Sequence, residues 1–288
     1  MADGDPRRAE VGTCGSALMK VAIETVAVRH CDFEAKVKVA GGGPPLVYLH
    51  PAGGPSWDPF LDALAEHHTV YAPDHPGTGE TERDAIHRVP GLWDLVLIYD
   101  ELLDRLGLGR VPLVGASFGG MVACEIAAHR RRAISALVLL DPIGLWRDDA
   151  PVAQYMTMMP EELASILFHD PHGAAAQTAL ALPSGDGDRA IAMADLVWAM
   201  GATGKFVWPI PDRGLARRLH RVTAPALVVW GEQDRLVSPV YAQEFAARLR
   251  DARVELVPGA GHVPQLERLD VVAPLVLDFL APAASSGP

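Results

Sequence analysis

Short apolar runs alternate with amphipathic segments along most of the chain. Residues 23–29 and 33–40 have strand-like patterns and are joined by a short turn, which predicts a hairpin. Further apolar runs predict strands at residues 45–50, 69–74, 111–114, 136–141, 226–231 and 254–257. Helical spacing predicts helices at residues 57–65, 92–106, 118–130, 240–249 and 265–280. Strands that alternate with helices predict an α/β fold, in which helices cover both faces of a mostly parallel sheet.

The longest segment without a strand-like run separates the predicted strands 136–141 and 226–231. Such a segment is expected to be a helical insertion that lies over the carboxyl edge of the sheet. The predicted organisation is a flexible leader (residues 1–18), a core (19–142 and 214–281), a helical cap or lid (143–213) and a flexible tail (282–288).

The composition restricts the classes of partner and compartment. The 288 residues have a formal net charge of −11, so we expect no nucleic-acid partner and no binding to an anionic membrane. Charged residues interrupt the N-terminal apolar stretch, and no window approaches the length of a membrane span, so neither a signal peptide nor a membrane segment is expected. Cys14, Cys31 and Cys124 fit no disulfide framework and no paired metal spacing, which is typical of a reducing, cytoplasmic location.

One serine lies among small residues in the stretch "VPLVGASFGGMVACEIAAH", where a predicted strand turns directly into a helix. Loops at the carboxyl ends of the strands carry the chemistry in a wound α/β sheet. Such a turn strains the backbone at its central residue, so the neighbours on either side must be small. Gly115, Gly119 and Gly120 meet that need, and the spacing predicts that Ser117 is an exposed nucleophile.

A serine hydroxyl needs a base that takes its proton, and the base needs an acid that orients it. His262 lies in "VPGAGHVPQLE", directly after the last predicted strand, and therefore returns to the same edge of the sheet as Ser117. Asp141 and Asp234 both follow predicted strands at this edge. From position alone, either aspartate could be the acid.

These motifs resemble those of the α/β-hydrolase family, and the resemblance extends from about residue 21 to residue 280. "GASFG" matches the family's Gly-x-Ser-x-Gly elbow, and "GAGHVPQLE" is similar to its histidine loop, with Glu267 a few residues after the histidine. The loop with Asp234 resembles the family's Gly-x-x-Asp loop. The resemblance implies an eight-stranded type of sheet with a helical cap and the catalytic residues Ser117, Asp234 and His262, and leaves Asp141 as a structural cap at the entry to the insertion.

The resemblance also implies an oxyanion hole, formed by two backbone N–H groups that stabilise the negative charge of an acyl-transfer intermediate. One donor is Phe118, directly after the nucleophile. The second is expected in "HPAGG", which is similar to the family's His-Gly loop but has Pro51, a residue without an N–H, in place of glycine. We therefore expect Ala52 to donate, with Gly53 as the alternative, and His50 to organise the loop.

The expected function is that of a carboxylesterase-like serine hydrolase that cleaves a small, neutral, apolar ester through an acyl-enzyme. The cap segment is rich in methionine and aromatic residues, and Trp198, Phe206 and Trp208 are expected to line the substrate pocket. No cofactor or metal is expected, because His169 and His172 have no further ligands nearby in sequence.

Several other activities would use the same three residues. They are the hydrolysis of carbon–carbon bonds in ring-cleavage products, lactonase, thioesterase, amidase and perhydrolase activities. A ligand receptor on this fold, with little or no turnover, is an alternative from a different class. The bond cleaved and the oligomeric state stay open at this point.

Overall fold

The described residues form one eight-stranded sheet. The computed structural model describes residues 20–158, 160–209 and 212–281, so the predicted leader and tail lie outside the described residues. The strands are β1 (Ala22–Val28), β2 (Phe33–Gly41), β3 (Pro45–Leu49), β4 (Thr69–Pro73), β5 (Val111–Ala116), β6 (Ile134–Leu140), β7 (Ala226–Gly231) and β8 (Ala252–Val257).

The sheet is mostly parallel, as the sequence predicts. Its strand order is β1–β2–β4–β3–β5–β6–β7–β8. Only the pairs β1–β2 and β2–β4 are antiparallel, and the remaining neighbours are parallel. The carboxyl ends of β3, β5, β6, β7 and β8 therefore meet at one edge.

Ten α-helices occur in the described part of the chain. They are α1 (Pro59–Ala65), α2 (Ala85–Arg88), α3 (Leu92–Arg105), α4 (Phe118–His129), α5 (Pro160–Leu167), α6 (Ala174–Ala179), α7 (Asp186–Val207), α8 (Val240–Ala246), α9 (Pro264–Glu267) and α10 (Leu269–Leu280). The helix predicted from residue 57 begins at Pro59, because the Asp58 carboxylate caps it and accepts the N–H of Leu61 at 3.0 Å.

Helices cover both faces of the sheet, and the strands are apolar on both sides for that reason. In β3, Leu46 and Tyr48 pack with α1 and α10 on one face. Val47 and Leu49 pack with α3, α4 and α8 on the other face. This period of two is the geometry of a strand, and burial of both faces is typical of a parallel sheet.

The chain between β6 and β7 forms helices and no strand among its described residues. Its longest helix, α7, is anchored to the core by polar contacts. The Trp198 Nε1–H donates to the Gly77 carbonyl at 2.8 Å, and Lys205 Nζ donates to the Ile86 carbonyl at 2.9 Å. This segment therefore lies against the loops at the carboxyl edge of the sheet.

Helix α7 corrects one expectation from the sequence. The helix is long and apolar enough to cross a membrane, with a mean hydropathy of 1.2 over 18 residues, a third of which are buried. Asp195 near the middle of the helix and Lys205 near its end interrupt the apolar stretch, so the sequence pattern did not indicate this length. A single helix of this length and composition is weak evidence for a membrane span.

Candidate active site

Ser117 occupies a strained turn between β5 and α4. Its φ of 51° and ψ of −113° lie outside the regions that most residues adopt. Space around the turn is limited by backbone atoms. A Cβ on Gly115 would lie 2.5 Å from the Gly119 carbonyl oxygen, and a Cβ on Gly119 would lie 2.0 Å from the Leu49 carbonyl oxygen. Glycine at both positions lets α4 start directly at the end of the strand.

Three side chains predicted from the sequence form a hydrogen-bonded chain. Ser117 Oγ lies 2.9 Å from His262 Nε2, and His262 Nδ1 lies 2.8 Å from Asp234 Oδ2. The carboxylate can only accept, so Nδ1 carries the proton and the lone pair of Nε2 points to the serine. Asp234 Oδ1 accepts the backbone N–H groups of Leu236 and Val237 at 2.8 and 2.9 Å, which holds the carboxylate in place.

Asp141 lies next to Asp234 but contacts no base directly. Its Oδ1 accepts the Gly231 N–H at 2.9 Å, and its Oδ2 is buried without a hydrogen-bond partner among the described residues. Burial, followed by the negative charge of Asp234, raises the pKa of Asp141 well above its usual range. The proton on Asp141 is therefore favoured, and Asp234 is the carboxylate that binds His262.

Glu267 connects the histidine loop to the chain between α5 and α6. Its carboxylate accepts the Gly261 N–H at 2.6 Å and the His169 and Asp170 N–H groups at 3.1 Å. The His262 N–H donates to the Leu167 carbonyl at 2.7 Å. The resemblance singled out Glu267, and the structure explains why a carboxylate is needed there.

The backbone N–H groups of Ala52 and Phe118 have no hydrogen-bond acceptor among the described residues. Phe118 is the first residue of α4, where N–H groups lack a partner within the helix. Pro51, Ala52 and Gly53 line the same cavity as Ser117. Both expected oxyanion donors are thus near the serine, and Gly53 remains the alternative to Ala52 as the second donor.

His50 organises the loop beneath the cavity, as expected from the sequence. His50 Nε2 accepts the His75 N–H at 3.0 Å, so its Nδ1 carries the proton and donates to the Pro51 carbonyl at 2.7 Å. Burial, followed by the neighbouring His75, lowers the pKa of His50 well below its usual range. The ring is therefore neutral and is too firmly engaged to transfer protons.

A small cavity of about 190 Å³ lies in front of Ser117. None of the described residues that line it is Lys, Arg, Asp or Glu. Side chains from the chain between β6 and β7 supply much of its apolar wall, namely Leu163, Leu167, Phe168, Leu180, Leu196 and Met200.

Tyr155 and Gln265 supply polar groups to this wall, and sequence reasoning missed both. Burial raises the pKa of Tyr155 to about 12, so its hydroxyl stays protonated and can donate a hydrogen bond. The Gln265 Oε1 is buried and has no hydrogen-bond partner among the described residues. Tyr155 lies in a segment without regular spacing and carries no sequence signal, whereas the position of Gln265 three residues after His262 could have drawn attention to it.

The three aromatic residues expected in the pocket do not line this cavity, and that prediction is wrong in this structure. Trp198 is held at the outside by its bond to Gly77, and Trp208 is 51% exposed. Phe206 is buried, with its ring stacked on Phe118 at a centroid distance of 6.1 Å. These side chains pack the cap onto the core or face solvent, and smaller aliphatic side chains surround the serine.

Comparisons with known proteins agree with the fold and with the motifs. The family model described as the alpha/beta hydrolase family matches residues 46–275. The 2-hydroxy-6-oxo-6-phenylhexa-2,4-dienoate hydrolase of Burkholderia cepacia is 26% identical over 270 residues, which cover 87% of this chain and 92% of that protein.

Two solved structures have the same fold. A membrane phospholipase A superposes with a TM-score of 0.72 and 22% identity, covering 90% of this chain and 86% of the other. The naproxen esterase of Bacillus subtilis superposes with a TM-score of 0.70 and 17% identity, covering 91% and 92%. The family match spans most of the sheet and the loops that hold Ser117, Asp234 and His262, and the chain belongs to the alpha/beta hydrolase family.

Proposed function

We propose that this hydrolase cleaves a small, neutral, apolar carboxylic ester through an acyl-enzyme on Ser117. The observation that carries the proposal is the hydrogen-bonded chain from Ser117 through His262 to Asp234, which opens into a small cavity with no Lys or Arg among the described residues that line it. A triad activates a serine in this way in unrelated folds.

The first half of the reaction forms the acyl-enzyme. His262 Nε2 accepts the Ser117 proton while Oγ attacks the ester carbonyl carbon, and Asp234 stabilises the resulting imidazolium. The N–H groups of Phe118 and Ala52 donate to the oxygen that becomes negative. His262 then gives its proton to the alcohol as the carbon–oxygen bond breaks.

The second half returns the enzyme to its resting state. A water molecule gives a proton to His262 and attacks the acyl carbon, and the tetrahedral intermediate again places its negative oxygen between the two N–H groups. Collapse of this intermediate returns the proton to Ser117 and releases the carboxylic acid.

The cavity supports a small and uncharged substrate. Its volume of about 190 Å³ is below the roughly 300–1,000 Å³ that is typical of sites for drug-sized ligands. A carboxylate substrate would need a cationic partner inside an apolar wall, since burying an unpaired charge is expensive.

Hydrolysis of a ring-cleavage dienoate is the second candidate, because the Burkholderia cepacia relative that acts on such a compound is similar over 92% of its length. That substrate is a carboxylate, and no Lys or Arg occurs among the described residues of the cavity wall. We therefore favour the neutral ester.

A substrate panel separates these candidates. The panel contains p-nitrophenyl esters of graded chain length, a hemisuccinate ester of similar size and 2-hydroxy-6-oxo-6-phenylhexa-2,4-dienoate. The expected result is turnover of the short neutral esters, with kcat/KM at least about tenfold lower for the other two. A higher kcat/KM for the dienoate would favour the second candidate, and a single stoichiometric burst without turnover would favour a receptor.

The nucleophile is tested by Ser117→Ala, which keeps the small turn residue and removes the hydroxyl. We expect loss of turnover with an unchanged circular dichroism spectrum. Intact-mass spectrometry after a serine-reactive phosphonate should find one adduct on the parent protein and none on this variant.

Ser56 also lines the cavity but has no hydrogen bond to a base among the described residues, so Ser56→Ala is the matched control and should keep both activity and adduct. Full activity in Ser117→Ala would disprove the assignment.

A further inference from the structure

A second group of ionisable side chains lies at the turn between β1 and β2. His30 and Cys31 belong to the turn, and Asp94 lies in the first turn of α3. His30 Nε2 and Asp94 Oδ1 are 3.1 Å apart, and one ligand atom from each of the three residues lies within 4.8 Å of the others. An imidazole nitrogen, a thiol sulfur and a carboxylate oxygen thus converge at one half-buried point.

The backbone of this turn is held in place by α3. Glu101 accepts the N–H groups of Arg29 and His30 at 2.9 and 2.8 Å with its two carboxylate oxygens. Cys31 has a φ of 69° and Asp32 a φ of 48°, although neither is glycine. The bidentate contact from Glu101 stabilises a turn that directs His30 and Cys31 to the same helix as Asp94.

The distances suit one tetrahedral ion. Zinc binds nitrogen and oxygen at about 2.0–2.2 Å and sulfur at about 2.3 Å, so its ligands lie about 3.4 Å (N to O) and 3.6 Å (S to N or O) apart. The distance between His30 Nε2 and Asp94 Oδ1, 3.1 Å, is close to the 3.4 Å expected between nitrogen and oxygen ligands. The Cys31 sulfur lies within 4.8 Å of the other two ligand atoms, so it would have to approach by no more than about 1.2 Å.

We propose that His30, Cys31 and Asp94 bind one zinc ion, with solvent as the fourth ligand. Imidazole and thiolate favour zinc over magnesium and calcium, which prefer oxygen. The Cys31 thiol loses its proton to solvent when the sulfur binds the ion. The site would tie the β1–β2 turn to α3, and it does not depend on the proposed esterase function.

The test uses the full chain, freed of metal with a chelator. Isothermal titration with Zn²⁺ should find tight binding to the parent protein, and Co²⁺ should give the intense near-ultraviolet absorption of a thiolate–cobalt bond. Asp141, Asp234 and His262 form a second group that could hold an ion, but none of them has a thiol, so the cobalt absorption reports only on a cysteine site. Loss of an outer-shell partner costs metal sites roughly 10–100-fold in affinity, so loss of a ligand should weaken Zn²⁺ binding by at least about 100-fold.

Cys31→Gly is the main variant, because glycine relaxes the positive φ and removes the thiol without threatening the fold. His30→Gln is the second. Cys14→Ser and His129→Gln are the matched controls, since His129 also lies on the surface beside a carboxylate, 3.8 Å from Asp100. We expect both main variants to lose the tight Zn²⁺ site, Cys31→Gly also to lose the cobalt absorption, and both controls to keep them. Absent binding in the parent, or unchanged Zn²⁺ affinity and cobalt absorption in Cys31→Gly, would overturn the proposal.

Discussion

Two buried aspartates near His262 differ in what surrounds their carboxyl groups. Asp234 accepts two backbone N–H groups as well as the His262 ring, so its negative charge is compensated. Asp141 accepts one N–H, and burial, followed by the negative charge of Asp234, raises its pKa. Two like charges in one buried site disfavour the ionisation of both groups.

This difference predicts unequal effects of the same substitution. Asp234→Asn should lower kcat by about ten-thousand-fold, the loss found for the equivalent change in another triad enzyme. Asp141→Asn should keep kcat within about tenfold, because asparagine tolerates the positive φ of 44° and keeps an oxygen that can accept the Gly231 N–H. Steady-state kinetics on a short ester measures both. A larger loss in Asp141→Asn would mean that Asp141 is the acid.

The pH dependence of stability tests the protonation of Asp141. Its pKa is raised in the folded state, whereas the unfolded chain releases the proton near pH 4. Above that pH the folded state binds the extra proton, so the free energy of unfolding falls as pH rises, by up to about 1.4 kcal/mol per unit until the folded pKa is reached. Asp141→Asn removes this contribution to the pH dependence of the free energy of unfolding. Urea unfolding should therefore find a stability gain that is larger at pH 8 than at pH 5, whereas parallel curves would show that Asp141 ionises normally.

At the scale of elements, the nucleophile is positioned by the close approach of α4 to the end of β3. Gly119 lies so near to Leu49 that no side chain fits between them. Gly231 and Gly261 make a similar approach, since a Cβ on Gly231 would lie 1.9 Å from the Gly261 carbonyl oxygen. Both contacts join the catalytic loops through backbone atoms, which cannot move aside as side chains do.

Gly119→Ala should therefore destabilise the protein by about 3 kcal/mol or more, at or above the upper end of the usual cost of overpacking. Gly109→Ala is the matched control, because nothing lies within 4 Å of its added Cβ and its φ is not positive. Urea unfolding of both variants measures the difference. Equal stability of the Gly119→Ala and Gly109→Ala variants would mean that the turn at Ser117 can relax at little cost in free energy.

At the scale of the whole molecule, the chain between β6 and β7 decides what reaches Ser117. Its aliphatic side chains form much of the cavity wall, and Glu267 and Leu167 tie it to the histidine loop. Each methylene that the cavity buries contributes up to about 0.8 kcal/mol, or roughly fourfold in kcat/KM. The rate across linear acyl esters should rise with chain length and then fall when the cavity is full.

Leu196→Ala should shift this optimum by one or two carbons towards longer chains, because Leu196 lines the cavity from α7. Val197 is the next residue of the same helix and is 66% exposed, so Val197→Ala should leave the optimum unchanged. The profile of kcat/KM against chain length measures both. An equal shift in the two variants, or none in Leu196→Ala, would mean that another wall limits the acyl chain.

Local patterns determined much of this protein. Alternating strands and helices predicted the mostly parallel sheet, because burial of both faces requires apolar strands. Small residues around Ser117 predicted the elbow, because the turn leaves no room for a Cβ. The positions of Ser117, His262 and both candidate aspartates after strands predicted that they would meet, since parallel strands end at one edge, and the family resemblance singled out Asp234.

Only the tertiary structure decided which side chains surround these residues. Trp198, Phe206 and Trp208 are as apolar as Leu196 and Met200, and no periodicity in the sequence separates those that face the serine from those that pack elsewhere. The raised pKa of Asp141 depends on burial and on the proximity of Asp234, which follows another strand. The meeting of Cys31 with Asp94 likewise depends on how a hairpin packs on a helix more than 60 residues away, because such contacts form only when the chain is folded.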